Sequence, residues 1–165
     1  MKPLVVGAFL ALGCAHGPAS LPAGPHPYTA LRLPATRGGA FSPTQLRGKV
    51  VLVAFLASWC FPCLADLTVL GQLQERHAAR GFTVVAVGMD LEGERVLAPF
   101  TEQYAPAFPV LIADPRLREG KSPFGPIRAL PTYFLFDRQG QGVLAYQGVA
   151  APKDLLRVVQ EVVER

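Results

Sequence analysis

Three cysteines are all this chain has, beside sixteen glycines and sixteen prolines in 165 residues. So few thiols exclude a disulfide-stapled miniprotein, and at this length one domain can bury a sufficient core without staples. There is no run of like charge either. Basic residues are scattered from Arg32 to Arg138 without interleaved aromatics, and the formal net charge is only +4. Nucleic-acid binding calls for a clustered basic face, so no nucleic-acid partner is expected. Internal repeats are absent. What remains is globular composition, half apolar and 17% charged.

No apolar run is long enough to make a membrane-spanning helix. The longest at the start, Leu4 to Gly13, has ten residues, or about 15 Å of helix, half of a hydrocarbon core. With Lys2 ahead of it, the run reads as a secretory signal. The sequence Leu10-Ala11-Leu12-Gly13-Cys14 resembles a bacterial lipobox, where cleavage before the Cys leaves a residue to be diacylated. The match departs from the pattern at Ala11 and Leu12, where Leu and then Ala or Ser are preferred. The alternative is ordinary cleavage near Ala15-His16-Gly17, which releases a soluble protein. The expected organisation is a lipoprotein signal over 1–13, a Gly/Pro-rich flexible tether over 14–27, and one domain over 28–165.

With Cys14 assigned to lipid, Cys60 and Cys63 remain, in Cys60-Phe61-Pro62-Cys63. An exported chain meets an oxidising compartment, but a loop this short closes little chain entropy, so a purely structural staple is a poor use of the pair. Zinc needs two further ligands, and only His16, His26 and His77 are present. Two of these lie in the tether and the third far along the following helix, so no metal is expected. Haem attachment needs a His after the second Cys, where Leu64 stands. Redox use is the expectation, and it requires no cofactor.

Periodicity places this pair. Leu31–Leu33 and Ala40–Phe41 read as a short hairpin around Arg37-Gly38-Gly39, and 42–48 as a turn of helix. The β-branched run Val50–Leu56 is a strand buried on both faces. A helix is expected from Phe61 to Ala79, with Pro62 in its first turn, where a missing N–H is harmless. A strand over 82–87, a helix over 93–104 and a short strand over 110–113 follow. Strands over 132–136 and 143–147 close the sheet around Asp137-Arg138-Gln139-Gly140, and a last helix covers 152–163. This is an α/β plan: a central mixed sheet flanked by helices, with an N-terminal hairpin and a central helical insertion. It is similar to the thioredoxin-like fold.

Cys-x-x-Cys between a strand and a helix is a physical device. At a helix N-terminus the unpaired N–H groups and the macrodipole favour an anion, so the Cys60 thiolate is stabilised and serves as nucleophile. Cys63, one turn in, is the resolving thiol. Pro62 stiffens the turn, and Trp59 is expected to cover the site and pack beside it.

The stretch from Leu46 to Val53 and then Phe55-Leu56-Ala57-Ser58-Trp59-Cys60-Phe61-Pro62-Cys63 resembles the TlpA/ResA branch of thioredoxin-like proteins. The likeness continues from Ala129 to Gly140 and covers about residues 28–163. Members are exported or membrane-tethered thiol–disulfide oxidoreductases. The resemblance implies that Pro131 is a cis proline facing the Cys pair, and that the Leu130 peptide group pairs with a substrate strand. From the residues alone, Pro131 simply opens a strand. The resemblance also points to Asp66, three residues after Cys63, where the family commonly has a Glu that acts on the thiols. The alternative is an Asp on a solvated helix face. The thioredoxin-type Asp six residues before the nucleophile is absent, with Ala54 in its place, and Leu56 stands where a Trp is frequent.

The resulting expectation is a reductant or exchanger of disulfides in cell-envelope proteins, apocytochrome c among the candidates, re-reduced by a membrane electron donor. Its client contacts would be Trp59, Phe61, Pro62, Leu130 and Pro131. Two other classes stay open. A peroxiredoxin-like peroxidase needs Thr or Ser three residues before the reactive Cys, where Ala57 stands. A copper-delivery or other non-catalytic module of this fold family is the third, although its Cys-x-x-x-Cys spacing and distant His are missing.

Overall fold

The computed structural model describes residues 17–18, 20–22, 24, 26–37, 39–149 and 152–165. The signal segment 1–13 and Cys14 lie outside the described residues.

A six-stranded mixed sheet forms the centre, in the order β1 (Gly17–Pro18), β6 (Gly142–Gln147), β5 (Thr132–Phe136), β2 (Val50–Leu56), β3 (Phe82–Gly88) and β4 (Val110–Ile112). Its middle strand is β2, Val50–Leu56, in which every residue is buried. The pleat divides this strand between two cores. Val50, Leu52, Ala54 and Leu56 join one, with Leu70, Leu73, Leu155 and Val159. Val51, Val53 and Phe55 join the other, with Tyr28, Leu31, Leu117 and Phe124. A strand with two apolar faces has to lie inside a sheet covered on both sides. On one side β2 runs parallel to β3, Phe82–Gly88, and on the other antiparallel to β5, Thr132–Phe136. β4, Val110–Ile112, extends the parallel half, and β6, Gly142–Gln147, completes the hairpin with β5.

Helices α1, Phe61–His77, and α4, Pro152–Val163, cover the first face. The second face is covered by the 3-10 turns Pro27–Ala30 and Pro43–Leu46 and by short α3, Pro115–Arg118. The central insertion is α2, Glu94–Tyr104, which brings Phe100 into the α1 side of the core. α1 ends through a 3-10 turn at Gly81, whose φ of 74° suits glycine.

One expectation needs correction. The hairpin over 31–41 is reduced to one bridge, Pro34 with Ala40, because Pro34 has no N–H with which to extend a ladder. The segment leans on β4 instead: Ile112 N–H donates to the Pro34 carbonyl at 2.8 Å and Thr36 N–H to the Val110 carbonyl at 3.0 Å. Part of the 14–27 segment, expected as a flexible tether, touches the domain. Gly17–Pro18 forms β1, antiparallel to β6, which occupies an otherwise open sheet edge. His26 N–H donates to the Gly140 carbonyl at 2.9 Å.

Candidate active site

Cys60 and Cys63 form a disulfide, with Cα atoms 5.2 Å apart. The strand–turn–helix geometry follows from local residues. β2 ends at Leu56, Ser58 and Trp59 make a tight turn in which Cys60 N–H donates to the Ala57 carbonyl at 3.1 Å, and α1 starts at Phe61. Cys60 is the N-cap of α1, and its Sγ accepts from Cys63 N–H at 3.3 Å. The first cysteine therefore sits where the unpaired N–H groups of a helix converge. Both cysteines are buried, at 4% and 2% exposure.

The aromatic surroundings are less enclosed than expected. Trp59 is 71% exposed and Phe61 83%. Trp59 is therefore turned largely to solvent, beside a buried pair whose core neighbours include Leu56 and Ala57. Pro62 is exposed in the first turn of α1.

The Leu130–Pro131 peptide bond is cis. Register brings it close to the turn, because Thr132 pairs with Phe55 and Pro131 therefore lies level with the end of β2. Leu130 is half-buried and packs against both cores.

Asp66 is not on a solvated face. It is 8% exposed, within the inner stripe Cys63, Asp66, Leu70, Leu73 and His77 of α1. The hydroxyl of Tyr133 donates to Asp66 Oδ2. Burial pushes the Asp66 carboxyl above the ordinary 3.8, and the Tyr133 hydrogen bond partly opposes this. The Tyr133 phenol is pushed well above its usual range by burial and by its carboxyl partner. Tyr133 escaped the sequence reading, although one signal was there. It faces Ala54 across the strands, so the small residue in place of an acid leaves room for a phenol. Asp90 was missed too. It is 1% exposed, just past β3, and accepts from both the N–H and the hydroxyl of Ser58. Among the described residues, no group of three His, Cys, Asp or Glu side chains is arranged to hold a metal ion.

A family profile described as Redoxin matches residues 21–161. The chain belongs to the redoxin family. Within that family its likeness is to the TlpA/ResA-like, thioredoxin-fold members. This redoxin is 31% identical over 118 residues to the thiol-disulfide oxidoreductase ResA of Bacillus cereus, a match covering 72% of this chain and 66% of the relative. It is 33% identical over 99 residues to the ResA of Bacillus thuringiensis, covering 60% and 55%. The chain thus spans less than two thirds of the length of these curated relatives. A thiol:disulfide interchange protein of the thioredoxin family from Chlorobium tepidum superposes with a TM-score of 0.65 at 27% identity, covering 89% of this redoxin and 97% of that chain. The α/β fold expected from the pattern of elements is the one observed.

Proposed function

We propose that this redoxin is an exported thiol–disulfide oxidoreductase that reduces or exchanges disulfides in proteins of the cell envelope. The observation that carries the reading is the Cys60–Cys63 disulfide at the N-terminus of α1, flanked by exposed Trp59 and Phe61. In the reduced state, the Cys60 thiolate attacks one sulfur of a client disulfide, and the other client sulfur leaves as a thiolate. Cys63 gives its proton to Asp66 and attacks the Cys60 sulfur of the mixed disulfide. The two client thiolates take up one proton returned by Asp66 and one from water, so the client leaves as a dithiol, and two electrons have passed to it from the Cys60–Cys63 pair. A membrane-bound dithiol donor restores the pair by the reverse exchange.

Client contact falls to Trp59, Phe61, Pro62, Leu130 and Pro131. A peptide laid along the Leu130–Pro131 edge meets backbone polar groups, while the two aromatics offer apolar surface for its side chains. Export rests on the signal-like segment 1–13 and anchoring on Cys14 as a lipidated residue, with apocytochrome c one client of fitting chemistry.

The test is reduction of insulin disulfides by the purified, reduced protein. Cys60→Ser abolishes turnover, and Cys63→Ser accumulates mixed disulfides with clients. Undiminished turnover in Cys60→Ser would refute the assignment.

A further inference from the structure

Two residues ahead of Cys60, Ser58 is gripped by a carboxylate with no part in the exchange steps above. Asp90 comes from the loop after β3 and is 1% exposed. Ser58 N–H lies 3.1 Å from each of its oxygens, and the Ser58 hydroxyl donates to Oδ1 at 2.5 Å. The backbone is pinned on either side of this contact. Met89 N–H donates to the Leu56 carbonyl at 2.8 Å, and Cys60 N–H to the Ala57 carbonyl at 3.1 Å. Asp90 therefore holds one corner of the turn whose last residue is the nucleophile.

We propose that Asp90 is a positioning residue that, through Ser58, makes the Cys60–Cys63 pair more reducing. The proposal rests on the redox role given to that pair above. Two effects act in the same direction. The first is charge. An anion buried behind the turn opposes a second anion at Cys60, so it disfavours the thiolate and with it the reduced form. Two other charged side chains among the described residues bear on the pair: Asp66, on the inner stripe of α1 with Cys63 and also acidic, and Arg95 on α2. Arg95 shares a shallow groove with Ser58 but is itself exposed, so water and salt screen it. The second effect is order. The disulfide holds Cys60 against α1 covalently, whereas the dithiol form depends on the turn and on the hydrogen bonds at the start of the helix. Releasing the corner frees the dithiol form more than the disulfide form, and the gain in conformational freedom favours reduction.

The experiment equilibrates the full chain with mixtures of reduced and oxidised glutathione. One disulfide and two glutathione thiols exchange for the dithiol and one glutathione disulfide. Alkylation of reduced Cys60 by iodoacetamide is followed against pH in parallel. In Asp90→Asn the equilibrium moves about tenfold toward the dithiol, or about 30 mV, and the alkylation profile moves to lower pH. Ser58→Ala keeps the anion and the backbone contact, so it moves the equilibrium in the same direction by a smaller factor and does not move the alkylation profile to lower pH. Asp90→Ala, where it folds, moves them at least as far as Asp90→Asn. A wild-type equilibrium and profile in Asp90→Asn, whatever its melting temperature, overturns the proposal, as does a shift toward the disulfide. If the wild-type pair fails to exchange with glutathione at all, the redox reading itself falls and takes this one with it.

Discussion

The Tyr133 hydroxyl donates to Asp66 Oδ2 and ties β5 to α1 one helical turn beyond Cys63. It is the contact that restrains the Asp66 carboxyl from rising further. Tyr133→Phe removes the restraint, so Asp66 keeps its proton to higher pH and accepts one from Cys63 less readily. The acid limb of mixed-disulfide release therefore moves to higher pH. Stopped-flow release measured across pH checks this, and a profile that overlays wild type would end the proton-acceptor role.

Asp66→Asn separates two effects. It removes a negative charge near the thiols, so Cys60 and Cys63 alkylate at lower pH. It also removes the acceptor, so release of the client slows, by about 10- to 100-fold near neutral pH. Alkylation and release profiles taken on the same protein distinguish the two. Release at the wild-type rate would leave Asp66 without a catalytic part.

Stability carries the same signature. Asp66 has a folded pKa above its unfolded value. Its favourable contribution is therefore complete below 3.8 and is lost as pH rises through the folded value. Asp66→Asn has no such loss and can still accept the Tyr133 hydroxyl. The variant is more stable than wild type at neutral pH, and the advantage fades toward acid. Urea unfolding at neutral and acid pH reads the difference.

His77 runs the other way. It is 3% exposed, its Nδ1 has no hydrogen-bond partner among the described residues, and it packs edge-on against Phe82. Burial, then the nearby Arg80 and Arg76, hold its pKa below 6.5, with Glu164 opposing. As pH falls through 6.5, the unfolded chain takes up a proton that the folded one resists, and stability drops. His77→Leu flattens that acid limb. An unchanged slope of stability against pH in this variant would exonerate His77.

Cys14 makes a cleaner prediction, because lipid adds mass. Full-length protein expressed in a bacterium with lipoprotein processing fractionates with membranes and carries acyl chains on Cys14. Cys14→Ser is released or left unprocessed. Wild-type protein that is soluble and lipid-free points instead to cleavage near Ala15.

Much of this arrangement is legible in the chain because it is local. Val50–Leu56, Thr132–Phe136 and Pro152–Val163 were expected at the bounds observed, since apolar runs and turn residues mark their ends. The redox pair is equally local: strand, turn, Cys-x-x-Cys, helix. What could not be read are contacts between distant residues. Tyr133 and Asp66 are 67 positions apart, and Ser58 and Asp90 are 32. Nothing in composition or period says that a phenol on β5 will meet a carboxyl on α1. The outward orientation of Trp59 escaped notice for a related reason. Which corner of a tight turn faces solvent depends on what already fills the core beneath it.

That outward orientation gives the protein an optical reporter. Trp59 is the single tryptophan of the chain, it is 71% exposed, and it is covalently adjacent to Cys60. All indole emission therefore comes from one fluorophore in a largely aqueous environment, bonded to the residue whose oxidation state changes. A disulfide is an efficient quencher at such range and a thiol a weaker one, so emission brightens on reduction. Redox turnover can then be followed in real time, without labels, from the light of a single side chain.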